Sequence, residues 1–282
     1  MEGGQFKITA IIQARLGSAR LPNKVLLPLP ATSNNSILKI ITSALKQVDL
    51  IDEIFVATSK DKNNDGIESE CDKLSLNCYR GSEEDVLSRF SEIVSANNSD
   101  YVLRFTADNP VIDTGLLLKF INNHLIKALD YSKSEGLPLG CNFEMIKSTS
   151  LISADKNTKA AYHREHVTPY IIENTTNQEV FKFKTLDPIN NIRFTIDYPS
   201  DYAFMNLIYS YLDNNISHCL KDFSNIIEKN SWLSKINNNN YQKIKAETFN
   251  EEIDAILPIA KLLELNKLSD FLKDEKQKKY NL

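Results

Sequence analysis

The sequence predicts an α/β protein with a mostly parallel, mixed β-sheet and helices on both of its faces. Short runs rich in β-branched residues alternate with stretches of helical periodicity, beginning with residues 8–12, which are apolar enough to be buried on both faces. Strands separated by helices imply right-handed crossovers and therefore parallel neighbours. Since ligands of such sheets bind at the carboxyl ends of the strands, we expect the functional site there.

The first half of the chain alternates regularly. Ser36 is predicted to cap a helix that runs to about Val48, because apolar residues recur there at helical spacing. Beyond this helix we expect, in chain order, a strand over 53–58, a helix over 65–76, a strand over 77–80, a helix over 83–96, a strand over 101–105 and a helix over 113–129.

The pattern is less regular in the second half. Two glycines and a proline within residues 131–146 favour an antiparallel strand or hairpin. The composition shifts toward Asn, Lys and Leu near residue 214, so we predict a main domain over 1–213 and a helical C-terminal extension over 214–282, whose role in dimerisation or in simple packing is open. Between these regions we expect a helix over 160–173, strands over 180–186 and 192–196, and a helix over 202–212.

Composition excludes several classes of protein. A formal net charge of -4 and an isoelectric point near 5.7 argue against a nucleic-acid binder, which carries a broad basic surface. The cysteines form neither a C-x-x-C pair nor a regular framework, so we expect reduced thiols. Neither a signal peptide nor a membrane span is evident, and we therefore expect a cytoplasmic protein.

A cationic loop, residues 13–24 (QARLGSARLPNK), follows the first predicted strand. Gly17 and Ser18 let backbone N–H groups approach a ligand, while Arg and Lys together suit a chain of phosphoryl groups. The loop matches neither a Walker A nor a G-x-G-x-x-G motif. We interpret it as a triphosphate site, with a solvated surface loop as the alternative. Its cations are Arg15, Arg20 and Lys24.

Two aspartates, Asp108 and Asp197, each follow a predicted strand. Carboxylates at strand ends could share one Mg²⁺ ion, although an Asx-turn and a helix cap are the structural alternatives. The segment 163–166 (HREH) lacks a zinc pattern, and we assign Arg164 to an acceptor carboxylate or phosphate. Glu144 is the candidate partner of an acceptor hydroxyl.

Four colinear blocks make the chain resemble the SpsF-like cytidylyltransferases of spore-coat polysaccharide synthesis, which are relatives of the CMP-Kdo and CMP-sialic acid synthetases. The resemblance covers roughly residues 7–212. The blocks are residues 11–26 (IIQARLGSARLPNKVL), 79–90 (YRGSEEDVLSRF), 104–113 (RFTADNPVID) and 163–171 (HREHVTPYI).

The resemblance implies a Rossmann-like nucleotide-diphospho-sugar transferase fold that uses Mg²⁺ to transfer CMP from CTP to a sugar-like acceptor, with release of pyrophosphate. It implies catalytic roles for Arg15, Lys24, Asp108 and Asp197, the two aspartates holding the metal. It further implies nucleotide contacts from Gln13, Ala14, Arg15, Gly17, Ser18, Lys24, Arg80, Ser82, Asp85, Thr106 and Asp108. Together with Arg164 and Glu144, we assign Asn142 to the acceptor.

The chain departs from the family pattern at two places. Ala107 stands before Asp108 where a glycine is usual, and residues 140–144 read GCNFE where Gly-Leu-Asp-x-Glu is usual, which leaves the acceptor open.

Two other functions are weighed against nucleotidyl transfer. A glycosyltransferase of related fold would place its metal on a D-x-D pair, which residues 108–110 do not supply, and a catalytically silent scaffold would not need the loop cations and aspartates.

Overall fold

The computed structural model describes residues 6–184, 187–212, 218–240 and 248–278. The chain divides into two compact units, Met1–Asn239 and Asn240–Leu282. The first unit contains the sheet and all of the residues to which a functional role was assigned. Each unit is described by itself below.

A mixed β-sheet forms the centre of the first unit, and seven strands are described in it. Their order across the sheet is β3-β2-β1-β4-β6-β5-β7. Strands β1 to β4 pair in parallel, β6 is antiparallel to both of its neighbours, and β7 is parallel to β5. The strands are β1 Ile8–Gln13, β2 Glu53–Ser59, β3 Asn77–Gly81, β4 Tyr101–Thr106, β5 Tyr131–Glu135, β6 Glu144–Lys147 and β7 Gln178–Lys182.

Helices cover both faces of this sheet. The first face carries α1 Ile37–Leu45, α2 Asp65–Leu74, α4 Thr114–Ile126, α8 Pro199–Ser210 and α9 Leu220–Lys229. The second face carries α3 Val86–Asn97, α5 Ser148–Asn157, α6 Ala161–His166 and α7 Pro169–Asn174. The predicted α/β fold, with a mostly parallel sheet between two layers of helices, is confirmed.

Strand β1 joins the two hydrophobic cores because successive side chains of a strand point to opposite faces. Ile8, Ala10 and Ile12 belong to the core on the first face, and Ile11 belongs to the core on the second. Burial on both sides explains the unbroken apolar run in the sequence. It also fixes the carboxyl end of β1, from which the cationic loop starts.

Most of the predicted elements in the first half form where the pattern places them. Ser36 caps α1, its hydroxyl oxygen accepting the Lys39 backbone N–H at 3.1 Å. The hairpin predicted within residues 131–146 is present as the antiparallel pair β5 and β6. The alternation of helical and strand periodicity was sufficient to locate these elements, because each of them buries one continuous apolar face.

Three elements differ from the prediction. The helix predicted over 160–173 is broken into α6 and α7 at Val167, which has a φ of 71°, and Pro169 starts the second helix. The strand predicted over 192–196 is wrong, since Arg193 makes only an isolated bridge to Leu139. Helix α5 was not predicted, because its mixed polar sequence has only a weak apolar stripe. The last two residues of the strand predicted over 180–186 lie outside the described residues.

The first unit continues to Asn239, beyond the domain boundary predicted after residue 213. Helix α9 is the reason, since Leu220, Phe223 and Ile227 are buried in the core of the first face. The Phe223 ring lies 5.5 Å from the Phe194 ring, centroid to centroid. The change in composition near residue 214 therefore lies about one helix before the end of the first unit.

The second unit consists of two helices in its described part, as expected for a helical extension. Helix α10, Phe249–Leu262, begins with a capping box in which Thr248 and Glu251 bond each other's backbone N–H groups. Helix α11 spans Asn266–Lys278. Within the described parts of both units, every helix is too short or too polar to cross a lipid bilayer.

Replacing Phe223 tests whether α9 belongs to the main core. Phe223→Ala removes a fully buried ring and should lower the free energy of unfolding by about 3–5 kcal/mol in chemical denaturation. Ile126→Ala, at a position 82 % exposed on α4, should change it by no more than about 0.5 kcal/mol. Equal stabilities of the two variants would contradict the inclusion of α9 in the core.

His124 predicts acid destabilisation. Its ring is fully buried, with Nδ1 2.7 Å from Ser132 Oγ, and burial lowers its pKa to about 4. Unfolded chains take up this proton near pH 6.5. The contribution of neutral His124 to the free energy of unfolding is therefore complete above pH 6.5. It is lost as the pH falls toward 4, by roughly 3 kcal/mol in total.

His124→Phe should flatten the dependence of unfolding free energy on pH within that window. The measurement is denaturant unfolding of the wild type and the variant at several pH values between about 7 and 4. Identical slopes for the two proteins would show that His124 does not carry the effect.

Candidate functional site

The ammonium group of Lys24 contacts both of the aspartates that the sequence analysis selected. Lys24 Nζ lies 2.7 Å from Asp108 Oδ2 and 2.9 Å from Asp197 Oδ1. Lys24 begins a turn of 3-10 helix, Asp108 follows β4, and Asp197 precedes α8, so three distant segments meet at this point. We call Lys24, Asp108 and Asp197 the charge cluster. The structure thus brings together three residues that the sequence analysis assigned to one site.

Local hydrogen bonds hold Asp108 at the carboxyl end of β4. Thr106 Oγ1 donates to Asp108 Oδ1 at 2.7 Å, and Asn109 Nδ2 donates to Thr106 Oγ1 at 2.9 Å. The Ile196 N–H donates to the Asp108 carbonyl at 2.9 Å, which links the segments that carry the two aspartates. The distance between the carboxylates is therefore set by backbone contact as well as by Lys24.

A buried ion pair holds Asp197. Asp201, fully buried in the first turn of α8, accepts the backbone N–H groups of Asp197 and Tyr198, each at 3.1 Å. The Arg193 guanidinium donates to both Asp201 carboxylate oxygens at 3.3 Å. Asn237 Nδ2 donates to the same carboxylate at 3.0 Å. Asp197 itself does not cap α8, because Asp201 performs this role.

The cationic loop is anchored at its start and open at its centre. The Ala14 N–H donates to the Ala57 carbonyl at 3.1 Å, and the Leu16 N–H donates to Asn64 Oδ1 at 2.8 Å. At Gly17 an added Cβ would meet no described atom within 4 Å, so a ligand can approach the backbone there. Arg15 is exposed, and no ion pair with a described residue restrains it.

Two other residues of the loop, Ser18 and Arg20, already have partners in the protein. The Ser18 N–H donates to the Leu16 carbonyl at 2.8 Å, and the Ser18 hydroxyl lies 3.5 Å from the Leu21 N–H. Arg20 lies 3.4 Å from Asp197 Oδ1 and stacks on the Tyr198 ring, 4.5 Å from its centroid. Arg20 thus adds a second positive charge beside the charge cluster.

A cavity of about 650 Å³ opens at the carboxyl ends of the parallel strands, where the fold class predicts a ligand. Its lining includes six of the residues assigned to nucleotide or acceptor, which come from four separate segments of the chain. These six are Gln13, Ala14, Arg15, Asp85, Thr106 and Arg164. Thr106 connects the cavity to the charge cluster through its hydrogen bond to Asp108.

Arg89 lines the same cavity and was missed in the sequence analysis. It is 4 % exposed, and its one described hydrogen bond runs from Nη1 to the Ala57 carbonyl at 3.4 Å. Its buried Nε has no partner among the described residues. Burial, followed by the charge of Arg15, lowers the pKa of this guanidinium.

The sequence did carry a signal for Arg89. Helix α3 buries Val86, Phe90 and Ile93, and Arg89 lies on this same apolar face. Its aliphatic stem packs on β3, where an added Cβ at Gly81 would approach Arg89 Cγ to 2.5 Å. A charge on the buried face of an amphipathic helix requires a polar partner, which is a reason to suspect a ligand.

A second cavity, of about 240 Å³, adjoins the first through the shared residues Arg104 and Thr106. Both Asn142 and Glu144, assigned to the acceptor, line it. Glu144 pairs with Arg104 at 2.6 Å and accepts the Tyr131 hydroxyl at 2.7 Å. Asn142 and Glu144, which lie in the segment that departs from the family pattern, therefore line the same cavity.

Asn142, which lines that second cavity, and the buried Tyr131, which contacts Glu144, are both held by hydrogen bonds. Asn142 bonds Ser134 Oγ at 3.1 Å and the Leu137 carbonyl at 3.2 Å, so its amide stabilises the loop between β5 and β6. Burial, followed by the negative charge of Glu144, raises the pKa of Tyr131. The Tyr131 hydroxyl therefore stays a hydrogen-bond donor to Glu144.

Some assigned residues lie elsewhere or are already paired. Arg80 is outside the lining of both cavities, and it pairs with Asp65 at 2.7 Å and Glu68 at 2.6 Å on α2. Ser82 is also outside, its hydroxyl accepting the Asp85 N–H at 3.2 Å.

Arg164 faces the large cavity but already has protein partners. It pairs with Asp85, which caps α3, and lies 2.8 Å from Asp155 on α5. In this arrangement Arg164 joins α3 to α5, and only part of its guanidinium is left for a ligand. His163 pairs with Glu173 at 3.2 Å, and the described residues contain no cluster of three metal-ligating side chains.

The charge cluster suits a hard divalent cation that is also bound by a substrate. Lys24 Nζ marks a point within 3 Å of one oxygen of each carboxylate, so a cation at a similar point could be held by both. Magnesium is usually bound by one or two carboxylates together with substrate phosphates and water, and a set of two aspartates fits this habit.

Comparison with known proteins identifies the same family as the resemblance. The family model for cytidylyltransferases matches residues 9–279. A protein of Methanocaldococcus jannaschii, MJ1063, is 37 % identical over 240 residues, covering 84 % of this chain and 97 % of that protein. The spore coat polysaccharide biosynthesis protein SpsF of Bacillus subtilis is 35 % identical over 210 residues, covering 72 % and 86 %.

A solved structure gives the same result for the fold. The structure of a cytidylyltransferase from Leptospira borgpetersenii superimposes with a TM-score of 0.74 at 26 % identity, covering 86 % of this chain and all of that one. The cavity at the strand ends, the cationic loop and the paired aspartates thus occur in a chain that belongs to the cytidylyltransferase family.

Proposed function

We propose that this protein transfers CMP from CTP to a small sugar-like acceptor and releases pyrophosphate, in the synthesis of a surface polysaccharide or glycoconjugate. The observation that carries the proposal is the contact of Lys24 with both Asp108 and Asp197 beside a large cavity. This arrangement supports the proposal, because it brings positive charge and two carboxylates that could hold a cation together beside the cavity. Family membership and the likeness to SpsF support the choice of reaction.

The nucleotide is proposed to lie across the carboxyl ends of β1, β2 and β4. Its phosphates would lie along the cationic loop, where Arg15 and Lys24 supply charge and the open backbone at Gly17 lets a phosphate approach. Its nucleoside would occupy the large cavity, between Gln13 and Ala14 on one side and the first turn of α3 on the other.

Catalysis is proposed to proceed by direct displacement. An acceptor oxygen attacks the α-phosphorus in line, the bond from that phosphorus to the bridging oxygen of pyrophosphate breaks, and pyrophosphate leaves. Arg15 and Lys24 stabilise the negative charge on the phosphate oxygens, and the two cavities hold donor and acceptor in register. The acceptor hydroxyl loses its proton in the same step, and Glu144 in the adjoining cavity is the proposed acceptor of that proton.

Magnesium is the proposed cofactor, held by Asp108 and Asp197. When bound, it would neutralise charge on the phosphate oxygens as a Lewis acid. Lys24, whose ammonium group lies between the carboxylates, keeps their charges compensated when no metal is present. Lys24, Asp108 and Asp197 are electrostatically coupled, since a change in the charge of one alters the electrostatic potential at the other two.

The acceptor is proposed to enter the second cavity, which meets the nucleotide cavity at Arg104 and Thr106. Glu144 could accept a hydroxyl proton, and Lys133 could meet a carboxylate or a phosphate. The four cysteines are free thiols, in agreement with a proposed location in the reducing cytoplasm.

A pyrophosphate-release screen tests this function. The full-length protein would be assayed with each of the four nucleoside triphosphates and Mg²⁺ against a panel of sugars, sugar acids and sugar phosphates. We expect release only with CTP and a matching acceptor. Release that is absent with every pair, or transfer of sugar from a preformed nucleotide sugar, would overturn the proposal.

Variants of the charge cluster should lose turnover. Asp108→Asn and Lys24→Ala each remove one preorganised charge and should lower kcat on the order of 10²-fold or more. Lys127→Ala, which removes a surface ion pair with Glu179 at 2.6 Å, serves as the control and should keep normal kinetics. Normal turnover in both cluster variants would contradict the assigned roles.

A further inference from the structure

We propose that Arg89 is a specificity-determining residue that donates hydrogen bonds to the pyrimidine base of the bound nucleotide and selects cytosine over uracil. This inference rests on the proposed function, because it assigns a reader for the base of CTP. It gives a role to a buried charge that neither the fold nor the charge cluster explains.

The sheet places Arg89 on the nucleoside side of the cavity. Asp108 follows β4, Gln13 ends β1, and Arg89 bonds the Ala57 carbonyl on β2, while β1 lies between β4 and β2. Two inter-strand spacings, about 10 Å, therefore separate the strand of the proposed metal site from the strand that Arg89 contacts. A nucleotide whose phosphates lie at Asp108 would extend its base toward Arg89.

The guanidinium of Arg89 has donors that the protein leaves unused. Within the described residues no carboxylate oxygen lies within 4 Å of it, and Asp85 and Glu83 attract it only at longer range. Apart from the exposed Arg15, the other cations of the site each pair with a carboxylate: Lys24, Arg20, Arg104 and Arg164.

A buried donor without a partner is costly in free energy. A ligand that supplies acceptors in the cavity would recover part of that cost, which is one way in which a binding site keeps affinity for a ligand. Arg89 carries donors and lacks acceptors, so the ligand group that it prefers must be acceptor-rich.

The chemistry of the bases then determines which one Arg89 prefers. Cytosine offers two adjacent acceptors, O2 and N3, to a planar guanidinium, whereas uracil carries N–H at position 3 and would set donor against donor. Good bidentate pairs of Arg with a base discriminate strongly against the wrong base. Cytosine therefore satisfies Arg89 better than uracil does.

The experiment compares Arg89→Met and Arg89→Lys with wild type in the full-length protein with Mg²⁺. Dissociation constants for CTP and UTP come from calorimetry, and those for cytidine from ligand-observed NMR titration. We expect Arg89→Met to weaken cytidine and CTP by the same factor, on the order of 10-fold, and to leave UTP nearly unchanged. Arg89→Lys should recover part of the preference for CTP.

Thermal unfolding distinguishes a binding role from a structural one. Arg89→Met replaces a buried, unpaired charge with an apolar chain, so its midpoint should equal or exceed that of wild type. Lys127→Met serves as the control for loss of a surface charge. Lower midpoints for both Arg89 variants, with CTP and UTP weakened equally, would assign a structural role and overturn the proposal.

Two further results would also overturn it. A loss of CTP affinity without loss of cytidine affinity would indicate a phosphate contact, and an unchanged ratio of CTP to UTP affinity would exclude base reading. These results differ from a failure of the proposed function, in which wild type would not release pyrophosphate from CTP at all.

Discussion

The contact of Lys24 with Asp108 and Asp197 is the interaction on which the functional reading of this structure depends. Two carboxylates whose nearest oxygens approach the same point repel each other unless a cation lies between them. Lys24 supplies that cation from the loop after β1, and its ammonium group is 2.7 Å and 2.9 Å from the two oxygens. Loop, sheet and helix α8 are therefore joined by charge at the place proposed for the phosphates of the nucleotide.

Separate interactions in the fold hold each of the three residues of this contact in position. The start of the loop continues from β1, which is buried in both cores, Asp108 is held by Thr106 and by the Ile196 N–H, and Asp197 is held by Asp201. Asp201 is itself neutralised by Arg193 in a buried pair. Site geometry is thus supported by secondary contacts that lie outside the cavity, as preorganised electrostatic sites require.

Charge compensation also divides the cations around the cavities into two groups. Arg164 and Arg104 join helices and strands through their carboxylate partners Asp85, Asp155 and Glu144. Arg15 and Arg89 lie near enough to repel each other, and neither forms an ion pair among the described residues. The first group stabilises the walls of the cavities, and the second group is the one proposed to contact the nucleotide.

The sequence by itself determined the α/β class, the parallel half of the sheet, the cationic loop and the position of Asp108 after β4, because periodicity, strand ends and clustered charge are local properties. Asp197 was also singled out, but through a predicted strand that does not form. Tertiary structure alone decided that Arg80 turns toward α2, that Arg164 is already paired, that residues 192–196 are not a strand and that α9 completes the core. It alone placed Arg89 beside Arg15. Each of these depends on partners distant in sequence, whose approach is set by packing rather than by any local pattern of residues.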